Sequence, residues 1–187
     1  MKNTKMMIVA AIFAGIIAVL AQISVPIGPV PNTAQPLAMG LVGTILGKKW
    51  GAISAAVYVL MGAIGLPVFA GGAGGVVHIF GPTGWYIISF PIAAFLVGLI
   101  TEKFEGNMIA GVLANWLGTS LLILGMGFTG LRFNLGITWA QAFAMGVMPF
   151  ILTNPVQGFF AGTIGTKIKK QLKAAGLLEV RGLGKTA

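Results

Sequence analysis

Apolar residues run through this chain in long blocks, with neither the alternation of a half-buried strand nor the one-sided stripe of a soluble helix. The blocks cover residues 6–25, 34–47, 50–64, 83–100, 107–126 and 139–165. A bilayer core about 30 Å thick takes roughly 20 residues of helix, and the pattern predicts six spans. Their breaks have local causes. Gly47-Lys48-Lys49 ends the second block, Gly65-Leu66-Pro67 ends the third, and Pro149 and Pro155 interrupt the sixth. The first block is too long for the apolar core of a signal peptide and lacks a clear cleavage site, so it is read as a helix. The expected fold is an all-α membrane protein, a six-helix transmembrane bundle in one domain over 1–187, with a basic tail at 166–187.

Charge orients that bundle. Lysine and arginine collect in short cytoplasmic loops. With six spans, both termini and the loops after the second and fourth share one side. That side holds Lys2, Lys5, Lys48, Lys49, Lys103, Lys167, Lys169, Lys170, Lys173, Arg181 and Lys185, and only Arg132 falls on the other. The expected placement is a multi-pass cell-membrane protein with both termini in the cytoplasm. Segments 26–33, 65–82 and 127–138 then face outward.

Composition agrees and narrows the chemistry. Of 187 residues, 57% are hydrophobic and 8% charged, against about a quarter charged in a soluble domain. The net charge of +9 sits at the ends of apolar runs. That arrangement suits the anionic inner face of a membrane and not nucleic acid. The acids Glu102, Glu105 and Glu179 are all expected on the cytoplasmic side, away from His78. No nucleophile, base and orienting acid can therefore be assembled. One histidine and no cysteine cannot build a zinc site. No catalytic residue, metal or cofactor is expected, and no ionisable residue inside the spans marks an ion-coupled transporter.

Binding is the remaining chemistry. Segment 65–85 holds seven glycines, the one histidine and two prolines, and Gly71, Gly72, Ala73, Gly74 and Gly75 allow backbone to approach a ligand closely. A flexible outer loop, or close packing of helices through small residues, explains the same glycines. His78 is a ligand contact or a solvated loop residue. Trp85 and Tyr86 are ligand contacts or part of an interfacial aromatic belt. Asn154 and Gln157, three apart, share a helix face, and Gln35 is a further buried amide. Such groups are costly unless paired, and a ligand is one way to pair them. Ala10, Ala14 and Ala18 make a smooth stripe for another helix, inside the bundle or in a partner.

The segments ISVPIGPVPNTAQPLA, GLPVFAGGAGG, GPTG and PFI, in this order and spacing, resemble the BioY family, biotin-binding S components of energy-coupling factor (ECF) importers. The resemblance covers about residues 20 to 172. It implies a six-helix subunit that captures a vitamin from outside and works with a T component and two ATPase subunits, and closure of 65–82 over the ligand is a further expectation. It also implies docking of the T component on the stripe of Ala10, Ala14 and Ala18. The chain departs from the family pattern at Ala73, where relatives carry a ligand-contacting asparagine, and at Ile87, where many carry arginine. Asn154 and Gln157 stand where the family has an acid and a lysine. Biotin is the first expectation. The alternatives are a less anionic small molecule, such as a neutral heterocycle or a lipoate-like compound, and, in another class, an autonomous facilitator or channel.

Overall fold

The computed structural model describes residues 2–178. Glu179, Arg181 and Lys185, with the rest of 179–187, lie outside the described residues. The described chain is mostly helical. Helix α1 is Lys2–Ala21, followed by a two-residue ribbon of β1 (Ser24–Val25) and β2 (Asn32–Thr33), paired antiparallel. Next come α2 (Gln35–Ala63), the short α3 (Val77–Phe80) and α4 (Gly84–Lys103). A run from α5 (Met108–Asn115) passes through a π-helical segment, Trp116–Leu122, into α6 (Ile123–Leu135). Helix α7 (Trp139–Gly146) and α8 (Thr153–Ala174) complete it.

Helix α2 is a hairpin. At Gly47 the backbone takes φ 79° and ψ −179°, a conformation open to glycine alone. Its two limbs then run back along each other. Gln35 Nε2 donates to Tyr58 Oη at 2.6 Å, although a straight helix would hold residues so far apart in sequence about 34 Å from each other. The turn lies against α4 at Gly98, where any Cβ would overlap the Lys48 backbone. Glu102 seals it by accepting from the Lys48 N–H at 3.0 Å.

Among the described residues, three stretches are long and apolar enough to cross a membrane: Thr4–Ala21, Gly84–Lys103 and Met108–Leu135. A fourth forms if the pair Trp139–Phe150 and Thr153–Ala174, bent by 45°, is one span. Each limb of the α2 hairpin is shorter than the roughly 20 residues a bilayer takes.

Two helices run on past their apolar blocks. The outward segment 127–138 is helical as far as Leu135, because Gly127 and Gly130 let the rings of Tyr86 and Trp85 lie directly on the α6 backbone. The basic tail is helical as far as Ala174. Lysine is a good helix former, and Lys173 in the last turn complements the helix dipole.

Candidate ligand site

A cavity of about 330 Å³ opens between the ribbon, the start of α2, the glycine-rich stretch, the start of α4 and residues 150–154. Its size is at the lower end of small-molecule sites, roughly 300–1,000 Å³. Phe69, Tyr86, Phe90 and Phe150 supply aromatic walls, and Gln35, Asn32, Thr33 and Asn154 the polar groups. Among the described residues that line it there is no lysine, arginine, aspartate or glutamate.

Two amides are held with capacity to spare. Gln35 Oε1 accepts from Thr33 Oγ1 at 2.9 Å, and its Nε2 donates to Tyr58 Oη, which donates on to Val68 O at 3.1 Å. One N–H and one lone pair of that amide remain uncommitted by these bonds. Asn154 is 1% exposed, and its Nδ2 donates to Thr119 O at 3.3 Å, where the neighbouring helix widens into π geometry. That bond fixes which end of the amide is nitrogen. The Asn154 Oδ1 is buried and has no hydrogen-bond donor, a state that costs free energy unless something supplies one.

The glycine-rich stretch folds over this cavity as a tied flap. Gly71 and Gly72 have φ near +70° (67° and 73°), which lets the chain turn tightly enough for Phe69 N to reach Ala73 O at 2.9 Å. Gly75 N donates to Gly62 O at 2.7 Å, anchoring the flap to the end of α2. Gln22, just beyond α1, binds it from the other side. Its Nε2 donates to Val68 O and Phe69 O at 3.4 and 3.2 Å, and its Oε1 accepts from Gly72 N at 2.9 Å. His78 lines the cavity and packs edge-on to Phe69, with ring centroids 6.3 Å apart.

Of the residues singled out from the sequence, Gln35, Ala73, His78, Tyr86 and Asn154 line this cavity. Gly71, Gly72, Gly74 and Gly75 shape the flap, and a Cβ at Gly74 would overlap the Leu66 carbonyl. Trp85 and Gln157 are not among the lining residues. Trp85 packs on Gly130. Gln157 is a clip: its Oε1 accepts from Leu37 N and its Nε2 donates to Thr33 O, both at 3.0 Å, tying α8 to the ribbon and α2. Ala10 and Ala14 are buried within the chain, with Ser54 Oγ donating to Ala10 O at 2.8 Å, and Ala18 is half-buried. Arg132 does not line the cavity; its guanidinium stands 5.8 Å from the Trp139 ring centre.

Sequence reasoning missed Phe69, Phe90, Phe150 and the segment 29–33. The aromatics look like any apolar residue within a run. The prolines at 29 and 31 were a usable signal, since they hold a segment extended close to Gln35.

The site is therefore an apolar pocket with a few placed amides and a flap tied over it. The crystal structure of an S component for biotin from an ECF-type ABC transporter shares this fold, with a TM-score of 0.84, 26% identity, and coverage of 91% of this chain and 93% of that one. The sequence model of the BioY family matches residues 1–174, and the chain belongs to the BioY family. It is 42% identical over 159 residues to a probable biotin transporter BioY of Pyrococcus horikoshii, covering 85% of this chain and 93% of the relative. It is 39% identical over 166 residues to the biotin transporter BioY of Thermotoga maritima, covering 89% and 96%.

Proposed function

We propose that this chain is the S component of an ECF-type importer and captures biotin from outside. The observation that carries the reading is a cavity with aromatic walls from Phe69, Phe90 and Phe150 and the amides of Gln35 and Asn154 among its polar lining. Biotin's ureido ring has two N–H donors and one carbonyl. The amides of Gln35 and Asn154 carry donors and acceptors of the kind that match both. Phe69, Phe90 and Phe150 cover its sulfur ring and chain, Tyr86 bounds the pocket, and His78 and Ala73 sit beneath the flap. The names of the relatives support biotin.

The wider assembly belongs to the same proposal. The bundle has six spans, counting each limb of α2, and both termini are cytoplasmic, as the distribution of lysine supports. A T component and two ATPase subunits supply the energy. The T component docks on α1. Because Ala10 and Ala14 face inward, contact falls on the exposed side that carries Ile8, Ile12 and Val19.

Isothermal titration of the purified chain with biotin tests the reading, with one tight site expected. In vesicles the chain alone should not move biotin, and with its partners and ATP it should accumulate it; equilibration across the membrane without them would establish a facilitator.

One observation favours a second ligand reading. Among the described residues, no lysine or arginine lines the pocket, and burying an unpaired carboxylate is costly. A less anionic ligand avoids that cost. Titration with biotin and its methyl ester separates the two. Tighter binding of the acid fits a carboxylate held at the flap near His78, whereas an ester about tenfold tighter, roughly 1.4 kcal/mol, points to a neutral ligand.

A further inference from the structure

A second cavity, about 750 Å³, lies at the far end of the bundle from the ligand pocket, among α1, the Gly47 turn, the end of α4 and the end of α8. Lys48, Lys49, Lys103, Lys169 and Lys173 line it, against the two acids Glu102 and Glu105. Three positive charges are in excess. Both acids are engaged: Glu102 accepts from the Lys48 N–H at 3.0 Å and lies 4.0 Å from Lys48 Nζ, and Glu105 pairs with Lys173. Lys49 and Lys103 lean over the rings of Trp50 and Phe104, 5.4 and 5.5 Å from their centres. The remaining wall is apolar, with Met6, Leu46, Trp50 and Leu99.

We propose that this cavity binds the phosphate headgroup of an anionic phospholipid, with the lysines on the phosphate and the apolar wall along the glycerol and first methylenes. A phosphodiester is the anion that a ring of ammonium groups recognises, and juxtamembrane lysines favour anionic lipid over zwitterionic lipid. A free phosphate uses the same lysines but gains nothing from the apolar wall, which decides for the lipid. The site is built by the fold. The Gly47 reversal brings Lys48 and Lys49 beside α4, and the extension of α8 beyond the sixth apolar block brings in Lys169 and Lys173.

The test uses the full chain in detergent, with native mass spectrometry to count bound lipid. It is titrated with phosphatidylglycerol, with phosphatidylcholine of the same acyl length, and with inorganic phosphate. Phosphatidylglycerol should bind at least about tenfold tighter than phosphatidylcholine. The preference should disappear in K103Q/K169Q and in the exposed-rim variant K49Q/K103Q, and survive in K169R. It should also survive in K167Q/K170Q, which removes two α8 lysines that do not line the cavity. Equal binding of the two lipids overturns the proposal, as does a preference lost equally in K167Q/K170Q. Displacement of phosphatidylglycerol by inorganic phosphate at equal concentration makes the occupant a soluble anion and overturns the lipid. If K103Q/K169Q does not fold, the rim variant and the comparison of lipids on the unaltered chain still decide.

Discussion

Asn154 and Gln157 sit one helical turn apart and do different work. Asn154 lines the cavity, gives an N–H to Thr119 and has a buried oxygen without a donor, while both ends of Gln157 are spent on the backbone of Thr33 and Leu37. On the proposed function, replacing Asn154 with Ala removes an amide from the wall of the ligand pocket. Biotin affinity measured by calorimetry should fall about tenfold, the worth of one buried hydrogen bond of roughly 1–1.5 kcal/mol. Gln157→Ala should instead lower the melting temperature in detergent, because it leaves two part-buried backbone groups without their partner. Gln22 offers a third, kinetic effect. It holds the flap through Val68, Phe69 and Gly72. Gln22→Ala should raise biotin dissociation severalfold, on the order of one lost net hydrogen bond, and speed hydrogen exchange at 68–75. Unchanged exchange there would show that Gln22 does not hold the flap.

At the scale of elements, glycine decides how closely helices approach. The α2 turn rests on α4 only because Gly98 has no side chain, and a Cβ there would overlap the Lys48 backbone. Gly98→Ala should destabilise the chain by about 1–3 kcal/mol, the usual cost of overpacking, read as a lower thermal midpoint in detergent. Gly15→Ala is the matched control. Nothing lies within 4 Å of a Cβ at that position, and alanine gains about 1 kcal/mol of helix propensity over glycine, so its midpoint should hold or rise. The six apolar blocks were legible because helix-length runs of apolar residues are a property of the chain itself. The continuation of α6 to Leu135 was not legible, since it depends on Tyr86 and Trp85 of another helix lying on Gly127 and Gly130.

Across the whole molecule, the same few elements frame two cavities of opposite character, a charge-free one under the flap and a lysine-rich one at the other end. That polarity was visible in the sequence, because charge at span ends follows from the cost of placing it in hydrocarbon. The sequence by itself determined the membrane class, the helical character, and the glycine-rich segment as the place to look for a ligand. Only the tertiary structure decided that α2 doubles back at Gly47, that Asn154 keeps a free buried oxygen while Gln157 clips the ribbon, and that Trp85 packs on a neighbouring helix. The first set follows from composition and local spacing. The second depends on which groups from distant segments meet, because a buried amide or ring takes whichever partner the packing brings to it.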